Sequence, residues 1–170
     1  MTVFVRRARG FTLIELIITI VILGILAAMA IPRFYDSLSD AQQATSRGLK
    51  GVMKASVGIA HATWLAAGAN SAGSTTITLD QTGVSVNSLG WPDAGTGTND
   101  VVAADCVNLW NALLSNPPPV TTTTCSSTEV LCYQITVFGS PKCRWVMYTN
   151  GVATNRMIGY RTDTGVVSNG

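Results

Sequence analysis

Glu15 is the one carboxylate in the apolar stretch of RGFTLIELIITIVILGILAAMAIPRF, and it stands five residues after Gly10. An acidic side chain in a membrane helix costs about 2.5–3.5 kcal/mol near the centre, so its position there calls for a cationic partner. If the chain is cut after Gly10, the new α-amine of Phe11 is such a cation. A helix's own first residue folds back poorly onto its fifth, whereas an axially staggered neighbouring chain presents its terminus directly.

The second reactive set is Cys106, Cys125, Cys132 and Cys143. An even, clustered group behind an export-like N-terminus reads as two disulfides formed in an oxidising compartment. Zinc is disfavoured, because there is no CxxC pair and the only histidine, His61, lies far upstream. Of the three possible pairings, Cys132–Cys143 is favoured because CYQITVFGSPKC reads as a hairpin closing on itself, and Cys106–Cys125 follows by elimination. No catalytic constellation accompanies these groups: His61 has no triad setting and no paired carboxylates fall in an expected cleft. No cofactor motif is present either, since GWPDAGTGTND is Gly-rich but lacks a phosphate-binding GxxxxGK. Asp93, Asp100 and Asp105 around that loop are a weak imitation of a calcium loop, and no metal is expected.

The element that must position Glu15 is an apolar helix. Positions 16–31 carry no charge, and with the preceding flank the stretch reaches the roughly 20 residues needed to span a bilayer. Three readings compete. One is a removable secretory signal with Ala28-Met29-Ala30 as cleavage site; another is a permanent anchor with Arg6, Arg7 and Arg9 on the cytoplasmic side. The third places the cut at Gly10 and keeps the helix, and it alone supplies Glu15 with a partner. Pro32, which lacks an N–H and clashes with the carbonyl four residues back, should kink or locally melt this helix, with Gly24 as a second weak point.

Beyond Pro32 the helical pattern resumes to about Ala67. Leu38, Ala41, Thr45, Leu49, Val52, Ser56, Ile59 and Thr63, widened by Met53, Val57, Ala60 and Trp64, form one buried face. Gly48, Gly51 and Gly58 are expected to mark close packing of strands, and His61 to be a packing or surface residue. TTITLDQTGVSVNS reads as a hairpin turning at 80–83, and ADCVNLWNALL as a short amphipathic helix with Val107, Trp110, Leu113 and Leu114 inward, ended by PPP. EVLCYQITVF, CRWVMYT and NRMIGYR read as antiparallel strands. The whole is an α+β architecture, a long N-terminal α-helix packed on an antiparallel β-sheet.

Only 12% of the 170 residues are charged, a composition common on surfaces outside the cytoplasm. Apart from Arg6, Arg7 and Arg9, eight basic residues face nine acidic ones, so there is no polybasic face for nucleic acid. DNA would need a local stripe, for which Lys142, Arg144, Arg156 and Arg161 are the candidates. Trp91 in its Gly-rich loop is either a core plug or a platform for a sugar.

The basic leader ending in Gly10, FTLIE with Phe11 first and Glu15 fifth, and the apolar helix interrupted by Pro32 together resemble the class III signal of type IV prepilins over positions 6 to 33. The resemblance implies cleavage between Gly10 and Phe11 by a membrane aspartic prepilin peptidase that also makes N-methyl-Phe11. It implies the type IV pilin roll, a cleaved leader at 1–10, a hydrophobic membrane and filament-core half-helix at 11–38, and a globular head at 39–170. It further implies a subunit held in the inner membrane before the pilus assembly machinery builds it into an extracellular, homo-oligomeric helical filament, in which Glu15 neutralises a neighbour's amine. PRFYDSLSDAQQATSRGLKGVMKAS, GWP and ADCVNLWNALL are similar to the mannose-sensitive haemagglutinin branch, although four cysteines depart from the usual single C-terminal pair. The expected function is a structural pilus subunit for attachment, not an enzyme, with a host or surface glycan as ligand. The alternatives are a pseudopilin of a type II secretion system, or a minor pilin or tip adhesin binding glycan or DNA.

Overall fold

A computed structural model describes residues 10–69, 75–79, 82–95, 101–137 and 141–169, apart from the side chains of Pro32, Tyr35, Asp36 and Val137. The leader arginines, Asp100 and the tips of both expected hairpins lie outside the described residues. The chain divides into two compact units, residues 1–42 and 43–170, and one helix, α1 (Leu13–Ala66), contributes to both. The helix assignment runs through Gly24 and Pro32 without a break, so the expected local melting is not seen. A proline removes one N–H donor and displaces one carbonyl, a loss that many helical turns on either side can absorb. In the first unit the 19-residue apolar segment Leu13–Ile31 is exposed throughout and long enough to cross a membrane.

Within the second unit, α1 buries Met53, Val57, Ala60 and Trp64, a row at spacings of four and three. Val52 and Ile59, expected on that face, are exposed. Each precedes a buried residue by one position, about 100° around the helix, which carries it off the narrow covered stripe. Gly48, Gly51 and Gly58 are also exposed, and a Cβ on any of them would meet nothing within 4 Å, so they do not mark strand packing.

A hairpin of β1 (Thr75–Leu79) and β2 (Thr82–Val86) follows, then α2 (Ala103–Leu113). Helix α2 buries Cys106, Leu109, Trp110 and Leu113, while Val107 is only half-buried. It stops before the three prolines, and Pro118 returns a carbonyl to the Trp110 indole N–H at 3.0 Å. The main sheet has the order β3 (Val120–Thr121), β4 (Cys132–Val137), β5 (Lys142–Thr149), β6 (Val152–Arg161) and β7 (Val167–Ser168). All its neighbours are antiparallel except the two-residue β3, which runs parallel to β4. Alternation along β5 sends Cys143, Trp145 and Met147 into the core, where Trp145 and Tyr133 flank Trp110 at ring distances of 5.3 and 4.7 Å.

The disulfides are Cys106–Cys143, joining α2 to β5, and Cys125–Cys132, closing the loop before β4; their Cα separations are 5.6 and 6.0 Å. This corrects the expected pairs Cys132–Cys143 and Cys106–Cys125. The hairpin exists, but its register sets Cys132 opposite Tyr148 and Cys143 opposite Val137. Five ladder steps therefore separate Cys132 from Cys143, about 16 Å at some 3.3 Å per residue, beyond the reach of a disulfide.

Candidate processing and assembly site

Gly10 and Phe11 precede the first turn of α1 in non-helical backbone, and both are exposed, Phe11 by 80%. A Cβ on Gly10 would meet nothing within 4 Å, so the Gly10–Phe11 peptide is open to an approaching enzyme. Thr12 is the N-cap. Its backbone N–H and its hydroxyl both donate to Glu15 Oε2, at 3.0 and 2.8 Å, and its Oγ1 lies 3.3 Å from the Glu15 N–H. This reciprocal arrangement is a capping box, which satisfies two amides that the start of a helix leaves without partners.

The sequence gives Glu15 the amine of a cut Phe11 as partner, with a neighbouring chain's amine the better placed. Thr12 was missed, although TLIE is itself the S/T-x-x-E signature of a capping box before an apolar run. Both contacts fall on one carboxylate oxygen, so Oε1 is the atom that a cation from outside would meet. The box holds the side chain in place at the head of the helix, ahead of an apolar surface with nothing packed upon it in this unit. Pro32 lies within α1.

The other candidates separate. Trp91 stacks on His61 at 3.9 Å and 11°, and Gly165, at φ +66, lies so close to the indole that a Cβ there would overlap the ring. Half-buried and packed between these two contacts, Trp91 serves as a plug more than as a platform for a sugar. His61 also stacks on Trp64 at 5.6 Å and has Nδ1 3.2 Å from the Gly90 carbonyl, which makes it a packing residue. Asp93 accepts the Gly95 N–H at 3.0 Å, and Asp105 accepts the Val102 N–H at 2.9 Å at the start of α2, so each carboxylate serves its own turn. The candidate basic stripe divides: Lys142, Arg144 and Arg161 line one cleft and Arg156 another.

A family model for the prokaryotic N-terminal methylation motif matches residues 5–31. The type IV narrow pilus major component PilA5 of Thermus thermophilus is 50% identical over 54 residues, 32% of this chain and 47% of that protein. The fimbrial protein EcpC of Eikenella corrodens is 47% identical over 49 residues, 29% of this chain and 32% of its own. The type IV major pilin protein PilA of Myxococcus xanthus is 50% identical over 44 residues, covering 26% and 20%. The matched stretch thus spans less than half the length of each of these relatives. No solved structure matches the chain significantly. The methylation motif and the pilin and fimbrial relatives, matched over up to 54 residues, make this part of the chain similar to type IV pilins, and a long N-terminal helix joined to an antiparallel sheet is consistent with their fold.

Proposed function

We propose that the chain is a structural subunit of a type IV pilus. On this reading a membrane prepilin peptidase cuts between Gly10 and Phe11 and methylates the new amine, and the product polymerises through α1 into a cell-surface filament for attachment. The observation that carries the reading is the Thr12–Glu15 box at the head of an apolar helix exposed along its whole membrane-length segment. A surface of that kind is covered first by lipid and then by other copies of itself. In the filament a neighbour's Phe11 amine approaches Oε1 of Glu15, so that charge neutralisation is completed only on assembly.

Pro32 supplies a missing hydrogen bond where α1 can loosen as the subunit leaves the bilayer. The role is structural and not catalytic. Within the family we assign the chain to the mannose-sensitive haemagglutinin branch, on PRFYDSLSDAQQATSRGLKGVMKAS, GWP and α2. The test of assembly is Glu15→Val: the variant should still be cut at Gly10 but yield few sheared filaments by electron microscopy. Filaments in normal number would contradict the role given to the carboxylate.

A further inference from the structure

Basic residues are few in this chain, yet six of the eight outside the leader gather around one edge of the main sheet, where β6 meets β7. A cleft of about 330 Å³ brings Arg47, Gln43 and Ser46 of α1 together with Asn155 and Arg156 of β6, and Asn169 closes it. A second cleft, of about 210 Å³, is lined by Lys142, Arg144, Arg161 and Ser168, and Asn169 lines this one too. Lys50 donates to Asn169 Oδ1 at 2.6 Å, which sets a further cation at the junction.

Among the described residues, neither cleft is lined by a carboxylate. Asp163 lies nearby but forms a two-pronged pair with the Arg161 guanidinium, at 2.9 and 2.5 Å. The lining is therefore cationic guanidinium and ammonium groups interleaved with carboxamides and hydroxyls. Guanidinium groups match carboxylates in a planar, bidentate fashion, and carboxamides both donate to and accept from sugar hydroxyls.

Among the described residues the one aromatic in either lining, Tyr160, is buried and gives no ring on which a base could stack. Outside the leader, acidic residues outnumber basic ones, so a densely charged polymer would meet repulsion elsewhere on the molecule. A hydroxyl-rich chain with one charge per sugar, less densely charged than duplex DNA, fits both conditions.

We propose that this edge binds an acidic polysaccharide, a chain of carboxylated sugars whose carboxylates sit on Arg47, Arg156 and the Lys142–Arg144 pair. The proposal does not depend on polymerisation. The test measures binding of the full-length protein in detergent to polygalacturonate, to its methyl ester and to duplex DNA, at low and high salt. The expected result is binding to polygalacturonate that weakens with salt, no binding to the ester, and about tenfold loss in Arg47→Gln/Arg156→Gln, the worth of losing charge-assisted hydrogen bonds. Lys54→Gln, on α1 outside both clefts, should bind as the parent does. Arg144→Gln, on the other cleft, should also weaken binding and reads the same question if the double variant is misfolded. Equal binding to the ester, no binding to polygalacturonate, or affinity unchanged in the arginine variants would overturn the proposal. Tighter, arginine-dependent binding to DNA would overturn it in favour of a nucleic-acid surface.

Discussion

Thr12 and Glu15 satisfy each other within one chain, which leaves Glu15 oriented before any neighbour arrives. Loss of an N-cap hydroxyl costs about 1 kcal/mol, so Thr12→Ala should speed hydrogen exchange of the first-turn amides about fivefold, measured in detergent. Unchanged exchange would mean that the box contributes nothing. At the opposite end of the chain, Gly165 combines a positive φ with close approach to Trp91. Gly165→Ala should therefore lower stability by about 2–4 kcal/mol in urea, followed by tryptophan fluorescence. Gly10, Phe11 and Glu15 stand out in the sequence because a lone charge in an apolar run has few explanations. Thr12 was equally legible, through its spacing from Glu15. The cover over Trp91 was not, because Gly165 and His61 come from distant segments that only the fold brings together.

Among the elements, both helices and the strands other than β3 follow from alternation, helical spacing and the prolines after Leu114. The disulfides do not, because they depend on register. The register sets Cys143 opposite Val137, not Cys132, and the sequence FGSP between the two strands carries the turn-forming Gly and Pro. Reading the turn from Gly and Pro before pairing the cysteines would have excluded the favoured bond. β3 was illegible for another reason, since two residues carry no periodicity. The two bridges should differ in weight, with sequence separations of 37 and 7. Chain-entropy arguments give about 4 kcal/mol for the longer loop and about 2 for the shorter. Replacing Cys106 and Cys143 with serine should thus lower the urea midpoint more than replacing Cys125 and Cys132; the reverse order would count against these pairings.

For the whole molecule, burial raises the Tyr133 hydroxyl to about 12. Burial, with Asp93 and Asp163 nearby, also raises Tyr160, whose hydroxyl donates to the Pro92 carbonyl at 2.9 Å. Both stay protonated in the folded state at pH values where the unfolded chain releases its phenolic protons. Their contribution is therefore intact below about pH 10, the unfolded value, and is lost progressively as pH rises above it. Urea midpoints measured at pH 8 and pH 11 should fall accordingly, and Tyr160→Phe should reduce the fall; a flat profile would contradict the buried placement. Calcium should leave the melting temperature unchanged, because Asp93 and Asp105 are engaged in their own turns, whereas a rise would revive the pseudopilin alternative. The basic clefts had only a partial trace in the sequence: Lys142, Arg144, Arg156 and Arg161 share one strand region, but Arg47 and Asn169 join them only in the folded sheet edge. The central claim is that the chain is cut at Gly10 and matures into a pilus subunit. Intact mass of the native protein, before and after reduction and with its N-terminal fragment sequenced, tests this most directly. The expected product is a chain starting at methylated Phe11 that gains four hydrogens on reduction, from the two bridges. A chain that keeps Met1, or one that starts at Ile31, would contradict it.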